Sequence, residues 1–478
     1  MLDTFGGKAM VRGRNAEEEK LVQDMVERGQ GHLFRFWEEL GDGKKGMLMD
    51  DVRRIDLDWV ESVRHLLHEE SHGRRTARVP EIIETPRTSR ERESLRQAYE
   101  RGEVLIQSGK TAAFTAAGGQ SSRLGLETPK GTYPVTPVRE KSLFQVHAEK
   151  IDSLQKKYGV GIPWLIMTSE TNHGQTARFF EENSFFGLDP ALVRFIEQAM
   201  YPALDGEGRM FLREMHRVFL SPTGHGGTFQ TLNESGALKW LKKRGVEELF
   251  YFQVDNVLID ILDPVFLGHH VAGRCQMSSK CVMKRNPEEK IGVFVIEEGT
   301  PTVVEYSELD TLDLEGGAHV EDLRAGNIAI HLINIDFALQ EIGVKVHLPL
   351  HVAHKAIPHV NDAGRKMKPT APNGYKFETF IFDALKYVQE TIIMEVERSE
   401  EFSPLKNRTG EDSPETVFRD QLRLFASWFE DAGIRVPRDS HGEPLYKLEV
   451  SPRFAPTRSL FLEKVDEALV IEGDLYLE

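Results

Sequence analysis

The stretch TAAFTAAGGQSSRLGLETPKG, residues Thr111–Gly131, decides how the rest of the chain is organised. A strand of small residues, Thr111–Ala117, runs into the pair Gly118–Gly119, and cations follow at Arg123 and Lys130. Glycines let backbone N–H groups approach phosphate oxygens closely, and the two cations can neutralise phosphate charge. The spacing matches neither the Walker A motif nor the dinucleotide fingerprint G-x-G-x-x-G. The chemistry therefore predicts a phosphate-holding loop, with a plain strand–turn–helix junction as the alternative.

The composition is that of a globular, acidic protein. The chain has 478 residues, 28% of them charged and 40% hydrophobic, which is enough for two or three domains. A formal net charge of −16 argues against nucleic acid as a partner, although a local cluster of Arg and Lys can still bind an anionic substrate. The two cysteines, Cys275 and Cys281, form no disulfide framework, so we expect a reducing cytoplasm. The sequence has no run of 18 apolar residues and no signal-peptide core, and we expect no membrane partner.

The first part of the chain predicts a helical arm. Asn15 is a candidate N-cap for a helix that starts at Ala16. Apolar clusters within Leu33–Leu40 and Leu57–Leu67 predict two further helices, and the arm reaches about residue 75. Strand and helix signals then alternate as far as residue 340, which is an α/β pattern with a mainly parallel or mixed sheet.

The later segments predict a long helix followed by a small β-containing tail. Apolar residues between Phe377 and Ile392 recur at helical spacing, which predicts one long amphipathic helix. Two short β-like runs follow, Leu445–Val450 and Ala468–Ile471. We expect these runs to form a small C-terminal domain.

A second site signal follows the buried-strand run Leu249–Val254, which ends in Asp255–Asn256. In open α/β sheets ligands sit at the carboxyl ends of the strands. A carboxylate at that position suits Mg2+, which prefers oxygen ligands and often shares them with substrate phosphates. The alternative is an aspartate that caps the next turn.

The glycine loop resembles the nucleotide-binding signature of the UDP-sugar pyrophosphorylases, L-A-G-G-Q-G-T-R-L-G-x-x-x-P-K-G, and most of all the branch that acts on N-acetylglucosamine. The matching residues are Ala117, Gly118, Gly119, Gln120, Ser122, Arg123, Leu124, Gly125, Pro129, Lys130 and Gly131. Ser121 occupies a position at which the family usually has glycine, and a Cβ at a left-handed position costs roughly 1–2 kcal/mol. The Ser121 hydroxyl could offset this cost by donating to a phosphate.

Further segments from about residue 30 to about residue 410 match the same family in order. The resemblance implies that Arg123, Lys130 and Lys406 neutralise phosphate charge during catalysis. It implies nucleotide contacts from Ala117, Gly118, Gly119, Gln198, Gly224 and His225, with Gln198 reading the uracil edge. It implies sugar contacts from Gly292, Glu305, Asn327, Phe380 and Phe382, and it makes Asp255 a ligand of Mg2+. By residue type alone, Lys406 would be a surface lysine and Glu305 a solvated strand residue.

The second glycine loop, Ser221–Gly227, leaves the sugar open. Its glycines would allow backbone contact with a base or a ribose. The N-acetylhexosamine branch typically has P-D-G-N-G-G, whereas glucose-type relatives have P-x-G-H-G. Thr223 and His225 depart from the first pattern, while Gly227 keeps it. His225 can also be a loop histidine that forms only local hydrogen bonds.

Together with the resemblance, these patterns predict an α/β fold with a Rossmann-like nucleotidyltransferase core and a mixed sheet. We expect an N-terminal helical arm at residues 1–105, the catalytic domain at 106–385, and a C-terminal helix plus a small β-containing domain at 386–478. The resemblance implies a cytoplasmic uridylyltransferase that makes a UDP-sugar and pyrophosphate from UTP and a sugar 1-phosphate, with N-acetylglucosamine 1-phosphate as the expected sugar. Glucose or galactose 1-phosphate is the alternative within this class, and a nucleotide-binding regulator without catalysis is the alternative outside it.

Overall fold

The computed structural model describes residues 13–68, 73–86, 88–119, 121–126, 128–342 and 345–478. The chain forms two compact units, each discontinuous in sequence. The helical unit comprises Met1–His72, Ala199–Gly227 and Pro349–Phe380, and the sheet unit comprises Gly73–Gln198, Thr228–Leu348 and Ile381–Glu478. The chain leaves the sheet unit and returns to it twice. The three consecutive domains expected from the sequence stay a prediction.

Eleven strands within the described ranges form one mixed sheet in the sheet unit. They are Arg75–Arg78, Thr111–Ala116, Trp164–Thr168, Val193–Glu197, Glu248–Gln253, Met277–Met283, Val293–Glu297, Thr300–Val304, Leu312–Leu314, Ala325–Asn334 and Ile393–Glu395. The expected α/β class with a mixed sheet is confirmed.

Four neighbouring strands of this sheet run parallel, in the order Glu248–Gln253, Thr111–Ala116, Trp164–Thr168 and Val193–Glu197. The two inner strands are almost entirely buried, as expected for parallel strands that are covered on both faces. Their carboxyl ends lie at one edge of the sheet, so the residues that follow them are brought together there. The long strand Ala325–Asn334 joins antiparallel to Glu248–Gln253 and makes the sheet mixed.

Helices cover this sheet, and several of them begin after a residue whose side chain caps them. The α-helices of the sheet unit are Ser89–Gln107, Leu143–Tyr158, His173–Glu182, Thr228–Glu234, Ala237–Lys242, Pro264–Ala272, Ile335–Gln340, Arg398–Glu401, Pro414–Asp431 and Arg458–Lys464. Ser142 caps the second of them by accepting from the Gln145 N–H at 3.1 Å. None of the helices in the described part of the chain is long and apolar enough to cross a membrane.

The helical unit contains the α-helices Ala16–Glu27, Asp42–Arg53 and Leu57–Ser62. Asn15 caps the first helix, as predicted, by accepting from the Glu18 N–H at 3.0 Å. Four small antiparallel ribbons complete the unit: Met200–Pro202 with Leu220–Pro222, Leu212–Glu214 with Arg217–Val218, His351–Lys355 with Gly374–Glu378, and His359–Val360 with Lys366–Met367.

The helix predicted at Leu33–Leu40 is wrong. The segment forms two short 3-10 turns, Gly31–Phe34 and Trp37–Glu39. Its five large apolar residues are all buried, so they do not lie along a single face as an amphipathic helix requires.

The long helix predicted between Phe377 and Ile392 is also wrong. Strand Gly374–Glu378 is followed by a 3-10 turn, Ile381–Tyr387, and then by strand Ile393–Glu395. Pairing of Gly374–Glu378 with His351–Lys355 competes with helix formation, and the apolar residues of the run are buried in two different units.

The tail from residue 440 forms one parallel pair of strands, Leu448–Val450 with Leu475–Leu477. The strand predicted at Ala468–Ile471 is therefore wrong, because the partner lies a few residues later. Helix Pro414–Asp431 and this pair share one hydrophobic core with the residues around the first glycine loop.

Two helices of the sheet unit approach each other so closely that only glycine fits between them. A Cβ on Gly102 of Ser89–Gln107 would lie 1.9 Å from the Pro264 carbonyl oxygen, and a Cβ on Gly268 of Pro264–Ala272 would lie 1.8 Å from the Ala98 carbonyl oxygen. Both obstacles are backbone atoms, so the helices themselves would have to separate.

We expect Gly268→Ala to lower the free energy of unfolding by at least about 1–3 kcal/mol, because it overpacks this helix pair. Urea unfolding followed by circular dichroism measures the change. Gly174→Ala is the matched control: Gly174 lies in helix His173–Glu182 with no atom within 4 Å of an added Cβ, and alanine should be neutral or stabilising there. Equal stability of the two variants would contradict the close packing.

Candidate functional site

The first glycine loop follows strand Thr111–Ala116 at the carboxyl edge of the sheet. The Ala117 N–H donates to the Met167 carbonyl at 2.8 Å, and the Ala117 carbonyl accepts from Asn172 Nδ2 at 2.9 Å. Both polar backbone groups of Ala117 are thus fixed before the chain reaches the glycines. Asn172 was not predicted from the sequence. Its position after the next strand is the only signal that could have indicated it.

Gly118 lies directly against the Gln198 carboxamide. A Cβ on Gly118 would come within 2.1 Å of Gln198 Nε2, so the glycine is needed for this side chain to occupy its position. Gln198 is buried, and its backbone N–H donates to the Thr168 carbonyl at 2.9 Å. Gly119 has open space around it. The structure therefore brings together the predicted nucleotide residues of the sheet unit, Ala117 with Gly118, Gly119 and Gln198.

The second half of the loop presents Arg123. Residues Ser121–Leu124 form a 3-10 turn, Arg123 is exposed, and Gly125 has a positive φ of 70°. The positive φ is the conformation for which glycine is favoured. Residue 120, residue 127 and the side chains of Ser121 and Ser122 lie outside the described residues, so the role proposed for the Ser121 hydroxyl stays a prediction.

Lys130 is fixed by the close packing of its neighbour and by an ion pair. A Cβ on Gly131 would lie 2.1 Å from the Phe144 ring, so the chain passes flat against that ring. The Lys130 Nζ donates to Asp255 Oδ2 at 3.0 Å. Two residues predicted separately, one from the glycine loop and one from the end of strand Glu248–Gln253, thus form a direct contact.

Lys406 is the second cation at this carboxylate. Its Nζ lies 3.5 Å from Asp412 Oδ2 and 5.4 Å from the centre of the Phe402 ring. Burial on its own would raise the pKa of the Asp255 carboxyl, but the ammonium groups of Lys130 and Lys406 hold that pKa below its ordinary value. Asp255 is therefore ionised; Lys130 contacts it directly, and Lys406 acts on it from a position beside its own partner Asp412.

A buried histidine supports the chain just before Asp255. His147, on helix Leu143–Tyr158, donates from Nε2 to the Val254 carbonyl at 3.0 Å and packs edge-on against Phe252. Burial lowers the pKa of His147 to about 3, because the charged form cannot be solvated there. The helical pattern of the sequence marks this residue only as part of a buried face, so sequence reasoning missed it.

Three of the predicted sugar residues, Gly292, Glu305 and Asn327, also lie together. A Cβ on Gly292 would be 3.3 Å from Glu305 Oε1, and the Asn327 N–H donates to the Gly292 carbonyl at 2.8 Å. The Asn327 Oδ1 accepts from the Ala329 N–H at 2.9 Å, and Ala329 has a φ of 55°, which is unusual for a residue with a Cβ. Asn327 thus stabilises a strained bend inside strand Ala325–Asn334. Phe382, also predicted to contact the sugar, is buried, with 3% of its surface exposed.

The second glycine loop lies in the helical unit and is clamped to residues 378–380. The Gly226 N–H donates to the Thr379 carbonyl at 2.8 Å, and a Cβ on Gly224 would lie 2.6 Å from that same oxygen. Packing within the protein therefore accounts for these glycines without any ligand. The His225 ring stacks on Phe380, with 5.2 Å between ring centres, so these two predicted residues also come together.

The candidate metal position rests on Asp255. Within the described ranges, no group of three or more His, Cys, Asp or Glu side chains is arranged to hold a metal ion. An ionised carboxylate at the carboxyl edge of the sheet does fit the mode in which Mg2+ is bound by one or two carboxylates and by substrate phosphates. The donor set present is therefore compatible with a metal brought in together with a polyphosphate.

The family of the chain follows from comparison with known proteins. The profile of the family described as UTP--glucose-1-phosphate uridylyltransferase, UDPGP, matches residues 60–424. The chain belongs to the UDPGP family. That range contains the whole glycine loop, Asp255 and Lys406.

Relatives and solved structures of this family cover nearly the whole chain. The chain is 35% identical over 458 residues to the "Probable UDP-N-acetylglucosamine pyrophosphorylase" of Dictyostelium discoideum, covering 91% of this chain and 93% of the relative. It is 34% identical to the "UDP-N-acetylglucosamine pyrophosphorylase" of Saccharomyces cerevisiae over 443 residues, 87% of this chain and 91% of the relative. The crystal structure of the uridine diphosphate N-acetylglucosamine pyrophosphorylase from Trypanosoma brucei aligns with a TM-score of 0.76 at 26% identity, covering 94% and 95% of the two chains.

The buried His147 predicts a specific pH dependence of stability in this UDPGP member. The unfolded chain binds a proton at a histidine near pH 6.5, whereas the folded state binds it only near pH 3. Stability is therefore lost as the pH falls below about 6.5, by up to about 1.4 kcal/mol per pH unit. We expect His147→Gln to flatten this dependence, measured by urea unfolding at several pH values between these limits.

The matched control is His441→Gln, since His441 is exposed. Its unfolding free energy should follow the wild-type pH profile. Parallel profiles for the His147 variant and the wild type would contradict the assignment of a neutral, buried imidazole.

Proposed function

We propose that the chain is a uridylyltransferase that makes UDP-N-acetylglucosamine and pyrophosphate from UTP and N-acetylglucosamine 1-phosphate. The observation that carries this proposal is the contact of Lys130 with Asp255 at the carboxyl edge of the sheet, with Lys406 near enough to lower the pKa of the same carboxyl. Membership of the UDPGP family supports the reaction type, and relatives at about 35% identity over nine tenths of the chain support the sugar.

The reaction needs positioning and charge neutralisation more than covalent chemistry from the protein. An oxygen of the sugar phosphate attacks the α-phosphorus of UTP, the bond from that phosphorus to the bridging oxygen breaks, and pyrophosphate leaves with the electron pair. The attacking phosphate is already an anion, so no general base is required. Arg123 and Lys130 would bind the triphosphate, and Lys406 would hold the sugar phosphate beside the α-phosphate, with charge stabilised in the transition state.

Mg2+ is the cofactor we propose, with Asp255 as its protein ligand. It would supply neutralisation of the phosphate oxygens and fix their geometry. Lys130 now donates to the carboxylate that would bind the metal, so we infer that this ammonium moves from Asp255 to the triphosphate when UTP and the metal arrive together.

The hydrogen-bonding state of Asn327 favours N-acetylglucosamine over glucose. Its Oδ1 is occupied by the Ala329 N–H, so the carboxamide has its Nδ2 amino group to offer to a sugar. An amino donor suits the carbonyl oxygen of an acetamido group, which glucose 1-phosphate lacks. Gly292 and Glu305 lie beside Asn327, and we propose that Glu305 accepts from sugar hydroxyls.

A glucose-type preference is the second candidate, and His225 favours it. The second glycine loop reads P-T-G-H-G-G, which shares its histidine with the glucose-type pattern. Structures of UDP-glucose pyrophosphorylase from Leishmania major show only the same fold, since their identity to this chain is about 15–17%.

Pyrophosphate release tests the reaction and its metal requirement. Wild-type protein with UTP and N-acetylglucosamine 1-phosphate should release pyrophosphate with Mg2+ and stop in EDTA. Asp255→Asn should lose most turnover, by about 100-fold or more, because removal of a positioned electrostatic group costs roughly 2.7–4 kcal/mol in the transition state. Calorimetric titration of MgUTP should show matching loss of binding. Full activity in EDTA would refute the metal assignment, and release of no pyrophosphate would refute the reaction.

Sugar choice is tested by two substitutions at one position. Asn327→Asp keeps the acceptor for the Ala329 N–H but removes the amino donor, whereas Asn327→Ala removes both. We expect the aspartate variant to keep its melting temperature and to lose about tenfold in the kcat/KM ratio of N-acetylglucosamine 1-phosphate over glucose 1-phosphate, because a buried acceptor on the sugar is left unpaired. The alanine variant should also lose stability. If wild type uses glucose 1-phosphate equally well, His225 is the better guide to the sugar.

A further inference from the structure

The segment that precedes Lys406 is buried although it has no regular secondary structure. Phe402, Ser403 and Leu405 are 6%, 2% and 0% exposed, and Lys406 is the first residue after them to reach solvent. A buried loop must find partners for its backbone polar groups, since an unpaired group costs about 1–3 kcal/mol. The position of Lys406 therefore depends on what binds the backbone of residues 401–405.

One side chain binds this backbone at two points. Asn256 Nδ2 donates to the Glu401 carbonyl at 2.6 Å, and Asn256 Oδ1 accepts from the Ser403 N–H at 3.0 Å. The backbone of Asn256 also forms an isolated bridge with Pro404, and the Leu405 N–H donates to the Asp255 carbonyl at 2.9 Å. The carboxamide thus uses one donor and its acceptor on two points of the loop, two residues apart.

The loop is held on both sides of this contact. Upstream, the fully buried Lys280 Nζ lies 2.6 Å from Glu401 Oε2 and 2.8 Å from Asp263 Oδ2. Downstream, the Lys406 and Asn407 N–H groups both donate to the Asp412 carbonyl, at 2.7 and 2.9 Å. Asn256 is therefore the central link between the strand end that carries Asp255 and the backbone that carries Lys406.

We propose that Asn256 is a positioning residue: it sets the distance of the Lys406 ammonium from the Asp255–Lys130 pair without itself touching substrate. This proposal rests on the proposed function for the role of Lys406 in turnover, but not for the structural link. The carboxamide is suited to this work because it donates and accepts at once, whereas a carboxylate only accepts. Asp255 and Asn256 then have separate tasks, one facing the ligand and one facing the protein.

Kinetics of a double-mutant cycle test the proposal. A misplacement of about 1 Å can cost about 100-fold in rate, so we expect Asn256→Ala to lower kcat by about 10-fold to 100-fold with little change in the KM for UTP. In the Lys406→Ala background, Asn256→Ala should lower kcat further by less than about twofold, because both residues act through the Lys406 ammonium. Effects that multiply would overturn the proposal.

Asn256→Asp should behave like the alanine variant, since it cannot donate to the Glu401 carbonyl. Asn334→Ala is the matched control. Asn334 also donates from Nδ2, to Glu248 Oε1 at 3.0 Å, and its Oδ1 also accepts from backbone N–H groups. It does so at the start of strand Glu248–Gln253, whereas Asn256 lies after the end of that strand. This control should keep wild-type kcat even if its melting temperature falls. A comparable loss of kcat in the control would overturn the specific role of Asn256.

Hydrogen exchange keeps the test independent of the reaction. The amides of residues 402, 403 and 405–407 should exchange faster in Asn256→Ala than in wild type and in the Asn334 control, without substrate present. Faster exchange with no pyrophosphate release by wild type would leave the link intact and refute the proposed function. Unchanged exchange at these amides would overturn the proposal itself.

Discussion

The ion pair between Lys130 and Asp255 is the constraint on which the candidate site depends. It joins the first glycine loop to the end of the next parallel strand, and it does so where both charges are largely removed from water. A buried carboxylate must be compensated, because its desolvation costs several kcal/mol. Lys406 adds a second ammonium, which lies 3.5 Å from Asp412 and also lowers the pKa of Asp255. These lysines lie in a chain with a formal net charge of −16, and a local cluster of cations lets an acidic protein bind a polyanion.

Neutral groups hold these charges in place. Asn172 fixes the peptide that leads into the glycines, and His147 fixes the carbonyl just before Asp255. Phe144 allows only glycine beside Lys130. Each of these three contacts is made by a buried group that does not carry charge at neutral pH, so these supports do not compete with the ion pair for a phosphate. Such preorganised surroundings are what transition-state stabilisation by fixed charges requires.

The sequence predicted the elements that local signals determine. The strand at Thr111, the cap at Asn15, and the carboxylate after strand Glu248–Gln253 all depend on residues next to one another in the chain. The run from Phe377 failed because its apolar spacing reflects burial in two units, with strand pairing to His351–Lys355 overriding helical periodicity. Asn256 was visible beside Asp255, but its function depends on residues far along the chain, which no local pattern reveals. The expected domain limits near residues 105 and 385 stay a prediction from the linear pattern.

The discontinuity of the helical unit has a consequence for how the protein is made. Its hydrophobic core combines Met25 and Trp37 with Leu204, and it closes only with Phe377. A nascent chain cannot complete this core before residue 377 has been synthesised. Contacts between residues so distant in sequence form slowly, and domains that need them fold late. The helical unit consequently completes its core only after the sheet strands from Arg75–Arg78 to Ala325–Asn334 have been synthesised.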